Sequence, residues 1–357
     1  MIESPRYIFF GPGALEKTSE TIRSLEIKGK AFIVTGGERT SPIAWRLGHT
    51  IEEDGYEFEV FQVTSSHPTV SDIEEAHKKL REFNASFVIG VGGGRVLDVA
   101  KLTAHWAGLR YISVPTSASH DGIASPAISF LLSKSVKEVR GKEWAKPESP
   151  SAVIADTRII TEAPAITRKS GFGDLMAKIT AVRDWELAHK LKDEPFSEYA
   201  ASMSLLSARL AMEHAEDIRP GTEESTRLLV KALIGSGVAI SIAGSSRPAS
   251  GSEHLFSHAL DLLAIKEGYK NAPHGIQCGL GAIMMAYLQG QDWEKIRDGL
   301  KSVGAPTTAK EAGLDPEVVI KALTIAHTIR KRYTILGESG LTEAAARKLA
   351  MRTGVID

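Results

Sequence analysis

Phe87-Val88-Ile89-Gly90-Val91-Gly92-Gly93-Gly94-Arg95-Val96-Leu97-Asp98-Val99-Ala100-Lys101 runs from an apolar strand through three glycines straight into a helix. Such a layout suits a diphosphate. The glycines permit positive φ angles and a close approach of backbone to ligand, and a helix beginning near Arg95 aims its first N–H groups and positive dipole end at an anion. An ordinary tight βα turn carries the same glycines, so the stretch needs support from its surroundings. That support lies about twenty residues on, where Tyr111-Ile112-Ser113-Val114-Pro115 reads as a second strand and ends in Thr116-Ser117-Ala118-Ser119-His120-Asp121-Gly122. Two strand ends then carry a glycine loop and a hydroxyl cluster, the usual ligand position in an open α/β sheet.

Outward from this centre, short β-rich runs occur at Tyr7 to Phe10, Ala31 to Thr35, Tyr56 to Val63 and Ala152 to Ala155. Helical patterns separate most of them, as in Val70 to Phe83 with Ile73, Ala76, His77 and Leu80 on one face. Alternating strands and helices predict an α/β domain with a largely parallel sheet. Ile128 to Leu132 followed by Lys134 to Val139 reads as an added hairpin. From about Thr161 the β signal vanishes and Ala, Leu, Met and Ile recur at helical spacing, predicting an all-α second half. The expected division is residues 1–160 for the dinucleotide-binding domain and 161–357 for a helical metal- and substrate-binding domain. Thr161, Thr222 and Ser252 each precede glutamate and are expected helix caps. Gly235-Ser236-Gly237 and Gly244 to Gly251 read as the most flexible stretches.

At 357 residues the chain fits two domains. Lys and Arg number 43 against 44 Asp and Glu, which argues against nucleic acid or an anionic membrane as a broad-surface partner. The single cysteine, Cys278, permits no intrachain disulfide. Neither a signal-like N-terminal run nor an uninterrupted apolar stretch of spanning length is found, so the expectation is a cytoplasmic protein without membrane insertion.

Three segments of the helical half hold candidate metal ligands: Gly171-Phe172-Gly173-Asp174, Glu253-His254-Leu255-Phe256-Ser257-His258, and Ala272-Pro273-His274-Gly275. His254 and His258 share a helix face at four-residue spacing. Asp174 is expected near a helix start, and His274 after Pro273 and before a helix continuing through Ile276, Leu280 and Met284. One carboxylate and two imidazoles suit Zn²⁺ with an open position for a substrate oxygen; a capping aspartate and hydrogen-bonded histidines are the plainer reading of the same residues. Cys278, one turn past His274, could face a metal there, with core filling as the commoner fate of a lone cysteine, and the remaining histidines read as structural.

Taken together, Gly92-Gly93-Gly94-Arg95-x-x-Asp98-x-Ala100-Lys101, Val114 to Pro126 with its Ser119-His120-Asp121-Gly122-Ile123-Ala124-Ser125-Pro126 core, Gly173-Asp174, Glu253-His254-x-x-x-His258 and Pro273-His274-Gly275 resemble the glycerol-1-phosphate dehydrogenase family. That family belongs to the superfamily of glycerol dehydrogenase, iron-type alcohol dehydrogenases and dehydroquinate synthase. The resemblance implies a dehydroquinate synthase-like fold and reduction of dihydroxyacetone phosphate to sn-glycerol 1-phosphate for archaeal ether phospholipids. By it, Gly92, Gly93, Gly94, Arg95, Val96, Asp98, Thr116, Ser117, Ser119 and Ser125 would bind NAD(H) or NADP(H). Asp174, His254 and His274 would hold Zn²⁺. Asp121, Asp174 and His258 would contact the substrate, with Asp121 and His258 as the catalytic pair.

Glycerol dehydrogenase is the nearest alternative, but it typically carries Lys in place of Arg95 and lacks the His120-Asp121-Gly122 run. A dehydroquinate synthase-like lyase is further off, since that branch uses Glu where Asp174 stands, and a non-catalytic metabolite sensor is the non-enzyme alternative. After the Ala31 to Thr35 strand, Gly36-Gly37-Glu38-Arg39-Thr40 lacks the aspartate of many NAD-selective relatives; Arg39 could meet a 2′-phosphate while Glu38 would oppose it, so use of both cofactors with a lean to NADP is expected. Arg247 or Lys178 could reach the substrate phosphate, with a solvated loop arginine and a helix-surface lysine as the plainer reading of the same residues. The superfamily resemblance implies a homo-oligomer.

Overall fold

A computed structural model of the chain describes residues 3–65 and 67–357. Two units are resolved within it, Met1–Ala118 with Gly122–Ala163, and Ser119–Asp121 with Pro164–Asp357.

The first unit is built on six strands: β1 (Tyr7–Gly11), β2 (Ala31–Thr35), β3 (Phe58–Gln62), β4 (Phe87–Gly92), β5 (Arg110–Pro115) and β6 (Ala152–Asp156). They pair in parallel in the order β1-β6-β5-β4-β2-β3. Every residue of β2, β4 and β6 is buried, which is why these strands read as continuous apolar runs. Their alternate side chains feed two cores. Phe32, Val34 and Val88 pack on one face with Ile73 and Leu80, while Ile33, Ile89, Val91 and Ile112 pack on the other with Leu47 and Ile51. The chain steps outward from β2 to β3 and then returns to β4 on the opposite side of β2. This reversal places the crevice of a doubly wound sheet beyond the carboxyl ends of β2 and β4.

Several local expectations fail for identifiable reasons. The hairpin expected over 128–139 is a helix, Phe130–Arg140, because Leu132 and Val136 sit four apart and both reach the core. None of Gly92, Gly93 and Gly94 takes a positive φ, and Gly93 has φ −79°. What β4 demands there is the absence of bulk, since a Cβ on Gly92 would lie 2.6 Å from Cβ of Val96. Thr161 ends the short helix Thr157–Thr161, its hydroxyl donates to Thr157 O, and the next helix starts at Ala165 after Pro164. Thr222 does cap its helix, accepting from Ser225 N, whereas Ser252 lies inside the helix that Gly251 precedes.

In the second unit the elements of the described residues are all helical. Asp174 does not begin a helix; it is the tenth of the 28 residues of Ala165–Lys192, with Gly171 and Gly173 helical before it. That helix crosses His274–Leu288 very closely. A Cβ on Gly173 would come 2.1 Å from Gly275 O, and one on Gly275 would come 1.9 Å from Ser170 O. Only glycine at both positions lets the Asp174 and His274 backbones meet. Gly235-Ser236-Gly237, expected to be flexible, is buried or half-buried helix within Glu223–Ala243. This helix has the length and apolarity to span a membrane, with mean hydropathy 1.5, but it packs on Glu198–Glu213 and Ala165–Lys192 as a core helix.

Candidate active site

The glycine loop closes the end of β4 in the first unit. Gly93 precedes the Gly94–Ala107 helix in extended conformation, and no side chain caps that helix. Thr116 N donates to Gly92 O at 3.0 Å, which ties the β5 hydroxyl cluster to the glycines, and a Cβ on Gly93 would stand 3.2 Å from Ser117 Oγ. Val96 is buried beneath Gly92, and Arg95 donates to Ser65 O. Gly36, in the loop after β2, comes so near that a Cβ there would lie 3.3 Å from Val96 and 3.8 Å from the Arg95 guanidinium. Asp98 is buried and accepts from Ser129 N at 2.8 Å through Oδ2, while its Oδ1 has no hydrogen-bond partner and lies 3.8 Å from Lys101 Nζ. An uncapped helix start, a cradle a side chain would fill and an orphaned buried carboxylate oxygen fit a dinucleotide. Ser125, fully buried, accepts from Ala127 N; Ser119 falls in the second unit, where its carbonyl accepts from Ser170 Oγ at 3.0 Å.

The second unit gathers Asp121, Asp174, His254, His258 and His274. One donor atom from each of Asp174, His254, His274 and Cys278 lies within 4.8 Å of the others, and His258, Asp261 and His274 form a second such group. The His254 and His274 imidazoles are both oriented from behind. His254 Nδ1 lies 2.8 Å from Glu253 Oε1, which leaves Nε2 3.6 Å from Asp174 Oδ1. Glu253 is itself held, since Oε1 accepts from Gly251 N at 2.6 Å and Oε2 from Thr180 Oγ1 at 2.7 Å. Ser257 Oγ donates to Gln277 Oε1 at 2.7 Å and so accepts from His274 Nδ1 at 3.1 Å, leaving His274 Nε2 for a ligand. Cys278 Sγ stands 3.5 Å from that nitrogen, so the cysteine read as core filling borders the cluster.

The carboxylates share one cation. Lys178 Nζ, fully buried, lies 2.9 Å from Asp121 Oδ2 and 3.1 Å from Asp174 Oδ1. Asp121 N donates to Asp174 Oδ2 at 2.9 Å, and Ser236 Oγ donates to Asp121 Oδ2 at 2.8 Å. Burial opposes ionisation of Asp121, but the Lys178 ammonium outweighs it and holds the group below its ordinary value. Asp174 is raised, by burial first and by the neighbouring Asp121 charge. Two carboxylates facing one ammonium leave a buried negative charge that a further cation would balance. Burial also depresses His254 and His274, and takes His258 down to about 3, so all three imidazoles are neutral as metal ligation requires. The Cys278 thiol is pushed well up by burial. This donor set fits Zn²⁺.

Two expected phosphate contacts do not stand where the sequence put them. Lys178 is enclosed by Asp121 and Asp174, and Arg247 is buried against Glu194, Nε to Oε1 at 2.6 Å. Sequence reasoning missed Glu253, Ser257, Gln277 and Ser236 as supporting groups. The Glu253-His254 pair was the one legible signal, a carboxylate directly before a ligand histidine. His49, His105, His189 and His214 bond nearby groups and hold local structure.

The sequence pattern of iron-containing alcohol dehydrogenases matches residues 9–164. A glycerol-1-phosphate dehydrogenase (NAD(P)+) of Korarchaeum cryptofilum is 60% identical over 89% of this chain and 99% of its own length. One of Methanothermobacter thermautotrophicus is 50% identical over 99% of both chains. The crystal structure of a probable glycerol dehydrogenase from Sinorhizobium meliloti superposes with a TM-score of 0.74 at 18% identity, covering 99% of this chain and 97% of that one, and so shares the fold. With the glycine-loop sheet and the histidine–aspartate cluster both in place, identity at this level over nearly the whole length means that the chain belongs to the glycerol-1-phosphate dehydrogenase (NAD(P)+) family of oxidoreductases.

Proposed function

We propose that this enzyme reduces dihydroxyacetone phosphate to sn-glycerol 1-phosphate with NADPH or NADH and depends on zinc held by Asp174, His254 and His274. The observation that carries the reading is the convergence of these three side chains with the imidazole tautomers set by Glu253 and Ser257. When bound, zinc supplies Lewis acidity to the ketone oxygen and the reduced nicotinamide supplies the hydride. Gly93 and the uncapped start of the Gly94–Ala107 helix receive the cofactor diphosphate, and the Thr116–Ser117 hydroxyls flank it. Asp121, kept ionised by Lys178 and aimed by Ser236, accepts a hydrogen bond from a substrate hydroxyl. His258 is neutral and therefore moves a proton as a relay, giving one N–H to the product oxygen while a second proton arrives at its other nitrogen. Asp261, 3.9 Å from His258 Nδ1, steadies that exchange.

The product would supply the glycerol backbone of archaeal membrane phospholipids, made in the cytoplasm by a homo-oligomer that contacts neither nucleic acid nor the membrane interior. The near-balanced charge supports this choice of a small metabolite over a polyanion. The decisive experiment is reduction of dihydroxyacetone phosphate with each cofactor and determination of the product's configuration. A preference for unphosphorylated dihydroxyacetone would replace this reading with glycerol dehydrogenase.

A further inference from the structure

NADP differs from NAD only by a phosphate on the adenosine ribose, so a protein that tells them apart does so at the 2′ position, away from the hydride. In a doubly wound sheet that ribose lies over the end of the strand beside the glycine loop, where an acid bonds the free hydroxyls or an arginine accepts the phosphate. The neighbouring strand here is β2, which runs out into Gly36-Gly37 and so presents no acid at the strand end itself. Glu38 and Arg39 follow, but both are exposed, in a turn closed by Thr40 N and Ser41 N donating to Gly37 O at 3.0 Å. The side chain that does reach this strand end comes from the glycine-loop helix. A Cβ on Gly36 would stand 3.8 Å from Arg95 Nη2, and Arg95 Nη1 donates to Ser65 O in the loop after β3. The guanidinium is thereby held between the end of β2 and residues 63–65. Those supports are themselves tied down: Thr35 Oγ1 donates to Val91 O at 3.0 Å, Val63 N to Thr35 O at 2.8 Å, and Ser65 Oγ to Asp72 Oδ2 at 2.9 Å. A Cβ on Gly37 would have only Gln62 Nε2 near it, at 3.9 Å, which leaves room beside the guanidinium bordered by an amide donor.

We propose that Arg95 recognises the 2′-phosphate of NADP, and that Arg39, the cation suggested by the sequence, does not. The inference rests on the reading of the glycine loop as the seat of the cofactor diphosphate. Arg95 is the second residue of the Gly94–Ala107 helix, so the turn that receives the diphosphate also fixes the guanidinium over the end of β2. Among the described residues no carboxylate forms an ion pair with Arg95; Ser65 O takes an N–H of one terminal nitrogen, and the planar fork keeps donors for phosphate oxygens. Arg95 is half-buried whereas Arg39 is exposed, and a contact shielded from solvent loses less to screening. With NAD the same guanidinium meets a neutral 2′-hydroxyl, and a hydrogen bond to a neutral acceptor is about half as strong as one to an anion. Both cofactors are then accepted, with NADP favoured, because Gly36 and Gly37 place neither a clash nor a carboxylate where the phosphate sits.

The test is calorimetric binding of NADPH and of NADH to the full-length, zinc-loaded chain in wild type, Arg95→Ala, Arg95→Gln, Arg95→Lys and Arg39→Ala, with thermal melting as the check on folding. The quantity read is the ratio of NADPH to NADH affinity, which a general loosening of the loop does not move. The ratio is expected to fall about tenfold to a hundredfold in the Ala and Gln variants, to recover in part in Arg95→Lys, and to hold in Arg39→Ala. Equal losses on the two cofactors, or an unmoved ratio in whichever of the Ala and Gln variants folds, would place Arg95 on the diphosphate or on the turn and overturn the assignment. A fall of the same size in Arg39→Ala would overturn it as well. Wild-type protein that binds neither dinucleotide would instead overturn the reading of the glycine loop, and this shows before any variant is compared.

Discussion

His254 Nδ1 and Glu253 Oε1, side chains of consecutive residues, lie 2.8 Å apart, so the His254 imidazole is oriented by its immediate chain neighbour. Glu253 is fully buried, and burial beside Asp184 raises it to about 7. Replacing Glu253 with Ala should free the imidazole to rotate and take up the other tautomer. Zinc affinity, read by titration against a competing chelator, is expected to fall about tenfold to a hundredfold. Unchanged affinity would mean that backbone geometry alone aims His254.

Metal removal gives the broader test. Exhaustive chelation should abolish ketone reduction and zinc should restore it, because the ion proposed at Asp174, His254 and His274 would supply the Lewis acidity for the ketone oxygen. His254→Ala should leave a zinc content well below one per chain. Full turnover by metal-free protein would contradict the proposed chemistry.

Gly173→Ala probes the helix crossing that assembles the cluster. Its Cβ would meet the Gly275 carbonyl at 2.1 Å, and a backbone atom cannot swing aside as a side chain can. We expect a loss of about 1–3 kcal/mol in unfolding free energy, measured by denaturant titration, together with weakened zinc binding as Asp174 and His274 are forced apart.

Gly93→Val should act on the cofactor and leave the metal alone. The added branch would occupy the space beside Ser117 Oγ, at the start of a helix that no side chain caps. Calorimetry should show NADPH affinity reduced at least about tenfold, with zinc content unchanged. Unaltered cofactor binding would assign the glycines to the turn alone.

The acid sensitivity of metal-free protein should report His258. Its folded value of about 3 lies below the ordinary 6.5, so between these the unfolded chain holds the proton and the folded one does not. Stability is therefore full above pH 6.5 and declines as pH falls toward 3, with a slope from this group of about 1.4 kcal/mol per pH unit. His258→Gln should flatten the decline by about that amount in pH-dependent unfolding of the apo form.

Sequence legibility followed the range of the interactions. The strands of the sheet were readable because buried parallel strands are apolar throughout, and the Val70–Phe83 helix because its buried face repeats at helical spacing. The helix over Phe130–Arg140 was misread because a short β-branched and leucine-rich run fits either period until a core receives one face of it. Asp174 was placed at a helix start because two glycines precede it. The glycines serve instead a crossing with a helix a hundred residues away, which no local pattern reveals.

The sequence by itself determined the α/β half, the helical half, the glycine loop after β4 and the residue types of the candidate metal cluster, since these depend on periodicity and on short motifs. Only the tertiary structure decided which cations are spent on internal carboxylates. Lys178 and Arg247 looked available in the chain, yet folding sets each against a carboxylate distant in sequence or on the same helix. A charge's role depends on its burial and on its partners in space, and neither is a property of its neighbours along the chain.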